Sequence, residues 1–272
     1  MAQESLGKER IEKPEISRYA LAMFDILGFS AWLEDVGIQT VLDSYHTLIE
    51  RALIQPNEKG GMGAVQTPDG AYLVVSRAPE YAYGSDTLLM WCPLMPGLVG
   101  DFIERCSDLM CEALAMNIPL RGAITLGDAV LDRKSHYFLG EPIVEAERLE
   151  KGQEWVGLMF GNSAVWSPFL TQIHGTSVIE YKDLPIKEEK RDKLEQYISP
   201  IVVDWPRRWR DKYGECPSEK LKELRNPAHA LKWDNTIQFA KFSKDKHDWH
   251  LRPDEIQPDA VLRLVSRNDA AF

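Results

Sequence analysis

The stretch Leu21-Ala22-Met23-Phe24-Asp25-Ile26-Leu27-Gly28-Phe29-Ser30 joins a strand pattern to a helix start, and the other elements can be arranged around it. Its first half is an apolar run typical of a buried strand, which breaks at Gly28. Ser30 then fits the N-cap of a helix. Asp25 stands where the apolar strand should continue. Because an unpaired carboxylate is costly to bury, we expect Asp25 to meet another polar group.

A second acid lies in a comparable setting, at a predicted hairpin turn. Asp86 follows Gly84-Ser85 between two short strand-like segments in the region Tyr81 to Trp91. If the strands are neighbours, Asp25 and Asp86 converge, and paired hard oxygens are what Mg²⁺ or Mn²⁺ with a polyphosphate requires. The pair therefore predicts phosphoryl-transfer chemistry on a nucleotide. The alternative is that Asp25 caps a turn and Asp86 is an ordinary hairpin residue.

The remaining patterns extend this beginning into an α+β arrangement. Apolar residues at helical spacing predict three helices, over 30–52, 98–116 and 140–151. Strand-like patterns recur around them, at 18–26, 72–76, 81–91, 121–131, 136–139 and 155–160. Residues 55–70 are rich in Gly, Pro and Asn and are predicted to form a loop. The order β-α-β-β-α-β-β-α-β favours an antiparallel or mixed sheet with helices on one face.

Beyond about Asn162 the periodicity weakens, which suggests a division of the chain into three parts. We predict a polar N-terminal segment 1–17, a core 18–161 and an α/β extension 162–272 packed on the core. Within the extension, 182–196 is a charged segment, 201–204 a predicted strand and 212–226 a polar connector.

Composition and charge exclude several classes of function. The chain has 272 residues, of which 44% are hydrophobic and 27% charged, as in a soluble globular protein with a substantial core. A net charge of −10 argues against a nucleic-acid binder, and it means that an anionic substrate must be held by metal and local cations. No signal-peptide core, membrane span or Cys-x-x-Cys spacing is present. We expect a cytoplasmic protein without membrane or nucleic-acid partners.

Four segments, in this order, resemble the class III nucleotidyl cyclases, the adenylate and guanylate cyclase superfamily. Phe24 to Ser30 resembles the first metal strand and phosphate loop of that family, and Gly84-Ser85-Asp86 resembles the hairpin with the second metal aspartate. Arg121 to Gly127 resembles the central strand, and Gly140 to Glu150 the helix with the transition-state arginine, here Arg148. The resemblance covers roughly residues 18–160 and implies a ferredoxin-like core.

The resemblance also implies roles for particular residues. Asp25 and Asp86 would bridge two Mn²⁺ or Mg²⁺ ions, with the Ile26 carbonyl as an added ligand. Phe29 and Ser30, at the start of the helix, would contact phosphate through free backbone N–H groups. Arg148 would stabilise charge on the transferring phosphoryl group. In the family this arginine comes from the partner subunit, so a homodimer with active sites at the subunit interface is implied.

Alternatives and departures from the family pattern bear on these roles. Arg148 could instead form an ion pair with Glu145, Glu147 or Glu150 on a solvated face of its helix. Val144 occupies the position of the family's transition-state asparagine. Tyr81 and Tyr137 occupy the positions that select a purine base, and bulky phenols there would favour a smaller base. Tyr45, on the first helix, could bond a pyrimidine edge or be an ordinary half-buried core tyrosine.

The chain as a whole is similar to the bacterial pyrimidine cyclases of Pycsar antiphage defence. This implies a uridylate cyclase, a phosphorus–oxygen lyase that converts UTP into 3′,5′-cyclic UMP and pyrophosphate. The cyclic nucleotide would then activate a separate effector protein. Open alternatives are a cytidylate cyclase that makes cyclic CMP, a purine cyclase, and a degenerate cyclase-like domain that only binds a nucleotide or a partner.

Overall fold

The structure is a computed structural model and describes residues 13–56, 62–66, 72–95, 97–165 and 177–247. The strands are β1 Ser17–Ile26, β2 Met62–Gln66, β3 Tyr72–Ser76, β4 Glu80–Gly84, β5 Thr87–Pro93, β6 Leu120–Asp132, β7 Tyr137–Gly140, β8 Leu158–Gly161, β9 Val178–Glu180 and β10 Ile198–Val203. The helices are α1 Phe29–Ile49, α2 Leu98–Ala115, α3 Glu141–Gly152, α4 Asn162–Val165, α5 Glu188–Leu194, α6 Trp205–Tyr213, α7 Ser218–Glu223 and α8 Ala230–His247. A π-helical turn, Glu50–Ile54, continues α1, and a 3₁₀ turn, Pro227–His229, precedes α8.

Eight of the strands form one mixed sheet. Its order is β4-β5-β1-β6-β8-β10-β9, with β7 paired to β6, while β2 and β3 form a separate antiparallel ribbon. The β6–β8 pair is parallel, and every other pair among the described strands is antiparallel. Strands β1, β4, β5 and β6, with α1 and α2 between them, follow the ferredoxin-like βαββαβ path. The predicted α+β, ferredoxin-like fold class is confirmed.

The central strand β1 presents different chemistry to the two faces of the sheet. Phe24 is paired with Leu88 of β5, and both side chains are buried on the face where Cys92 and Cys106 bring β5 and α2 together. Asp25 points to the opposite face, between Thr87 of β5 and Arg121 of β6. Helix α3 lies across that second face.

Contacts from β6 hold α3 in place there. The Thr125 hydroxyl donates to the Pro142 carbonyl, 2.8 Å away, and Pro142 also lies over Gly127. Thus α2 covers one face of the ferredoxin-like core and α3 covers the other, so the predicted helices do not all lie on one face.

The extension is joined to the core by apolar packing and by ion pairs. Trp155, just before β8, stacks on Tyr181 and contacts Phe239 of α8 edge-on, and all three rings are buried. On the other side, Arg208 of α6 forms a bidentate pair with Asp108 of α2, at 2.7 and 3.0 Å. The described part of the extension therefore packs directly on the core.

Several local expectations differ from the structure. Helix α1 begins at Phe29, so Ser30 is not its N-cap; Gly28 takes that place, with a left-handed φ of 77° that suits glycine. The loop predicted over 55–70 contains β2, and its residues 57–61 and 67–70 lie outside the described residues. The connector predicted over 212–226 contains α7, and the charged segment 182–196 contains α5. In each case a short helix or strand was not predicted, because its Gly, Pro or charged residues weaken the hydrophobic periodicity.

Within the described ranges, no helix combines the length and the apolar character that a bilayer span requires.

Candidate active site

The two aspartates singled out by the sequence meet at one end of the central sheet. Asp25 lies one residue before the end of β1, and Asp86 lies in the turn between β4 and β5. The backbone N–H of Ile26 donates to the Asp86 carbonyl at 3.0 Å, which ties the end of β1 to that turn. The charge of Asp86 contributes to raising the pKa of Asp25, after burial, which has the larger effect. Asp25 and Asp86 are therefore electrostatically coupled.

A buried arginine lies directly against Asp25. Arg121 is opposite Asp25 in the β1–β6 register, and its Nε and Nη2 atoms both lie 3.1 Å from Asp25 Oδ2. The Arg121 side chain is 12% exposed and that of Asp25 18%. Glu150 of α3 contacts the same guanidinium, with Oε1 2.7 Å from Arg121 Nε. Because that N–H is directed at Asp25, the contact with Glu150 is an ion pair without a directed hydrogen bond.

The cluster holds more negative charge than one guanidinium can neutralise. Burial raises the pKa of Glu150 to about 7, against the opposing effect of Arg121 and with a further contribution from the negative charge of Asp25. Burial raises the pKa of Asp25 as well, and Arg121 opposes this shift. Since Asp86 adds a third carboxylate next to this group, the site favours an additional cation.

Sequence analysis did not identify Arg121 or Glu150 as site residues. Arg121 was noted only as the start of a strand, and Glu150 only as an alternative partner of Arg148. The strand pattern contained a usable signal, because a cation next to a buried strand is costly unless it faces an acid. Gln153 supports the arrangement: its carbonyl accepts from Arg121 Nη1 at 3.2 Å, and its side chain donates to the Gly122 carbonyl at 2.8 Å.

The start of α1 lies beside the two aspartates, as predicted. The N–H of Leu27 donates to the Pro119 carbonyl at 2.9 Å, so the turn into the helix is fixed to the strand next to it. Phe29 is half-buried, and its ring contacts Trp32 and Tyr45 edge-on. Ser30 is exposed in the first turn. These two residues place the first backbone N–H groups of a helix next to Asp25, where an anion is favoured.

Tyr45 supports the hairpin turn that carries Asp86. It is 8% exposed, and its hydroxyl donates to the Ser85 carbonyl at 2.6 Å. Ser85 has a positive φ of 55°, so this bond braces a turn of uncommon backbone conformation. Burial, with smaller contributions from Asp86 and Asp25, raises the pKa of Tyr45 well above its ordinary value. Tyr45 is thus close to both aspartates, and its hydroxyl forms a hydrogen bond with the backbone of the turn.

The two tyrosines proposed as base selectors lie elsewhere in the chain. Tyr81, in β4, is half-buried, and the guanidinium of Arg133 lies 5.1 Å from the centre of its ring. Tyr137 is 41% exposed and pairs with Asp132 at the far end of β6 from Arg121. The rise of a strand puts those two ends of β6 about 35 Å apart. Within one chain, Tyr137 does not reach Asp25.

Arg148 forms no described contact with the aspartates of its own chain. It is exposed on α3, and Nη1 donates to the Tyr197 hydroxyl. Its predicted alternative, an ion pair with a glutamate of α3, is wrong in the described chain, because each of those acids has another partner. Glu145 accepts from the Ser163 N–H, Glu147 pairs with Lys151, and Glu150 faces Arg121.

The donor atoms around Asp25 and Asp86 fit a divalent cation in their chemistry. Both Arg121 contacts fall on Oδ2 of Asp25, and the two aspartates repel each other in a way that a cation would relieve. The predicted third ligand, the carbonyl of Ile26, belongs to the next residue of β1. Among the described residues, no group of three or more His, Cys, Asp or Glu side chains is arranged to hold a metal ion. A site here would combine two carboxylates with backbone and substrate oxygens.

A cleft among the described residues lies away from the two aspartates. It has a volume of about 770 Å³ and lies between the start of β1 and the end of β6, where Tyr19, Glu80, Arg133 and Lys134 line it. Neither Asp25 nor Asp86 contributes to it. The geometry of the charged groups, not the shape of the surface, therefore identifies the candidate active site.

Comparisons with known proteins give similarity of structure only. No protein-family model matches the sequence, and no curated protein matches it either. Among solved structures, the guanylyl cyclase Cya2 is 9% identical, covers 71% of this chain and 92% of its own, and has a TM-score of 0.42. The adenylyl cyclase CyaB from P. aeruginosa is 11% identical, with coverages of 71% and 95% and a TM-score of 0.40. A bacterial light-regulated adenylyl cyclase is 12% identical, with coverages of 86% and 58% and a TM-score of 0.44. At these values, the likeness is not evidence for a particular activity.

Proposed function

We propose that this chain is a pyrimidine nucleotide cyclase that converts UTP into 3′,5′-cyclic UMP and pyrophosphate. The observation that carries the proposal is the convergence of Asp25 and Asp86 at the end of β1, beside the N-terminus of α1. A coupled pair of carboxylates next to free helix N–H groups is suited to a metal–triphosphate complex. Two Mn²⁺ or Mg²⁺ ions, when bound, would lower the pKa of the ribose 3′-hydroxyl and neutralise charge on the triphosphate.

The residues of the chain have distinct tasks in this reaction. The ribose 3′-oxygen loses its proton to solvent and forms a bond to the α-phosphorus, while the bond from that phosphorus to the β-phosphate oxygen breaks and pyrophosphate leaves. Asp25, Asp86 and the Ile26 carbonyl hold the metal ions. The N–H groups at Phe29 and Ser30 bind phosphate oxygens, because the start of a helix favours an anion. Arg148 stabilises the charge that develops on the phosphoryl group.

The separation of these residues within one chain favours a homodimer. Tyr137 and Arg148 do not contact Asp25 in the chain that carries all three. They reach the reacting nucleotide only if a second copy of the chain supplies them. In that arrangement Tyr81 and Tyr137 narrow the base pocket and favour a pyrimidine. CTP is the alternative substrate, since uracil and cytosine differ by one carbonyl-for-amino exchange.

The biological role that we propose rests on the resemblance to Pycsar cyclases. Cyclic UMP would be a messenger in antiphage defence, made in the cytoplasm and recognised by a separate effector protein. Direct contact between cyclase and effector is not required.

A second candidate function is a cyclase-like domain that binds nucleotide or a partner without turnover. One observation favours it: Arg121 already neutralises part of the charge on Asp25. In a binding module this ion pair would be permanent, whereas in an enzyme Asp25 must share its oxygens between Arg121 and a metal ion.

The test is to incubate the purified protein separately with ATP, GTP, CTP and UTP in the presence of Mn²⁺, and to resolve the products by chromatography and mass. We expect cyclic UMP, and its loss in Asp25→Ala and in Asp86→Ala. Asp35→Ala, an exposed acid on α1, is the matched control and should keep the activity. A cyclic purine product would refute the tyrosine-selector argument. If the protein binds Mn²⁺ and nucleotide but forms no cyclic product from any of the four nucleotides, the binding module is favoured.

A further inference from the structure

We propose that Tyr197, in the extension, is a positioning residue for Arg148. The inference rests on the proposed function, because it concerns the direction in which the guanidinium is held before it meets the triphosphate. It assigns a task in that reaction to a residue outside the ferredoxin-like core.

The Tyr197 hydroxyl contacts this arginine directly. Nη1 of Arg148 donates a hydrogen bond to the Tyr197 hydroxyl. The central guanidinium carbon lies 5.2 Å from the centre of the Tyr197 ring. Because Nη1 is bonded to the hydroxyl, this distance places the guanidinium beyond the hydroxyl oxygen and not over the ring face. The hydroxyl therefore holds one end of the guanidinium group.

Tyr197 is itself held on both sides by backbone hydrogen bonds. Its N–H donates to the Leu194 carbonyl at 2.8 Å, and its carbonyl accepts from the Asn162 N–H at 2.9 Å. The Asn162 side chain donates to the Gln196 carbonyl at 3.3 Å. Asn162 directly follows β8, and Tyr197 directly precedes β10, the neighbour of β8 in the sheet. The backbone of Tyr197 is therefore anchored to the sheet, and its half-buried side chain extends from this fixed point to an exposed arginine.

A phenol suits this role better than a carboxylate would. A carboxylate would orient the guanidinium but would also cancel its charge, whereas a phenolic hydroxyl accepts a hydrogen bond and leaves the positive charge in place. In the described residues, Arg148 forms no ion pair with an acid, although its helix carries Glu145, Glu147 and Glu150. The arrangement keeps Arg148 both ordered and charged, as the binding of an anionic phosphoryl group requires.

The experiment compares Tyr197→Phe and Tyr197→Leu with a matched control, Tyr213→Phe. Tyr213 also lies in the extension and contacts a charged group, Glu112, but it is on α6, away from Arg148. With UTP and Mn²⁺ we expect Tyr197→Leu to lower kcat about 10–100-fold with little change in KM, since a misplaced group costs this much. Tyr197→Phe removes only the hydroxyl that bonds Arg148 and should lower kcat to a similar extent, and Tyr213→Phe should match the wild type.

A second readout does not depend on activity. The Arg148 guanidinium is labelled with phenylglyoxal in the absence of nucleotide, and the rate is followed by mass spectrometry of the Arg148 peptide. We expect faster labelling in Tyr197→Leu than in the wild type or Tyr213→Phe. Should Tyr197→Leu fail to fold, Tyr197→Phe is compared by the same two readouts.

Unchanged labelling together with a kcat within about twofold of wild type in both Tyr197 variants would overturn the proposal. The proposed function and the role of Tyr197 can be refuted independently. If the wild type makes no cyclic nucleotide, the proposed function fails, and the labelling rates alone then decide whether Tyr197 holds Arg148.

Discussion

Asp25 and Asp204 are both shielded carboxylates at the end of a strand, yet their surroundings are opposite. Asp204 follows β10, is 1% exposed, and has a donor for each oxygen: the Ser243 hydroxyl at 2.5 Å and His247 Nε2 at 2.6 Å. Asp25 shares one guanidinium with Glu150 and has Asp86 as a further acidic neighbour. Each oxygen of Asp204 therefore has a donor of its own, whereas, among the described residues, Asp25 shares its only cation with a second acid.

This contrast separates a structural charge from a functional one. The two donors of Asp204 both come from α8, so the carboxylate fastens that helix to the start of α6. A further cation would stabilise the acid-rich group around Asp25. Perturbed carboxyl groups are concentrated at functional sites for this reason. The following predictions test the contrast, beginning with the largest expected effect.

Replacing Asp25 should separate activity from stability. We expect Asp25→Asn to lower cyclic-nucleotide formation by about 10³-fold or more, because the metal ions lose a charged ligand. The free energy of unfolding should stay level or rise, because Arg121 and Glu150 are then left as a one-to-one pair. Product analysis and urea denaturation measure the two quantities, with Asp35→Asn as the control. A large loss of stability would show that Asp25, like Asp204, has a structural role.

Replacing Asp204 should have the reverse outcome. Asp204→Ala leaves the Ser243 hydroxyl and His247 without their acceptor, so we expect the free energy of unfolding to fall by about 2–4 kcal/mol. Activity per folded molecule should be retained. Asp211→Ala, an exposed acid on α6, is the control and should change stability little. The contrast fails if Asp204→Ala abolishes turnover in a protein of unaltered stability.

The pH dependence of stability provides a third test. The folded-state pKa of Glu150 is raised from 4.5 to about 7, so the folded chain keeps a proton that the unfolded chain has already lost within this window. Stability should therefore fall as pH rises from about 5 to 7, by up to about 1.4 kcal/mol per pH unit from this group.

Glu150→Gln removes the titrating group and should flatten this slope. Urea unfolding at several pH values measures it in both proteins, with Glu147→Gln, a more exposed acid of α3, as the control. Equal slopes in wild type and Glu150→Gln would mean that Glu150 is fully neutralised by Arg121. The excess of negative charge inferred around Asp25 would then be smaller.

The smallest effect concerns a pair that is balanced and partly exposed. Arg208→Lys loses the bidentate geometry with Asp108, and we expect a loss of about 0.5–1 kcal/mol in stability. Arg225→Lys alters a bidentate pair with Asp234 whose acid is much more exposed, and it should cost less. Thermal unfolding of both variants measures the difference. Equal costs would show that shielding of the acid does not govern the strength of these pairs.

The elements with strong local signals were predictable from sequence. The strand, break and helix around Asp25 and the hairpin around Asp86 formed as expected, because the apolar periodicity and turn residues of both segments agree with the tertiary packing. Their convergence also followed, since β1 and β5 are neighbours.

Contacts between distant parts of the chain could not be predicted in the same way. Arg121 meets Asp25 only because of the β1–β6 register, and Glu150 joins them only through the placement of α3 on that face. The partner of Arg148 depended on Tyr197, whose region had no clear pattern. Sequence periodicity describes which face a residue occupies but not which residue it meets there. The ribbon strand β2 was missed because it contains Gly63 and lies in a stretch of sequence rich in Gly, Pro and Asn.

The continuation of the main sheet through β8, β10 and β9 bears on how this protein can be divided. A fragment that stops at Gly161 would contain the residues proposed to bind metal and phosphate but would lack Tyr197, the partner of Arg148. It would also leave β8 as an edge strand, with unpaired N–H and C=O groups and the uncovered ring of Trp155 beside it. Such edges pair with other chains. Cutting the chain there would therefore remove both the cover of a sheet edge and the tyrosine bonded to Arg148.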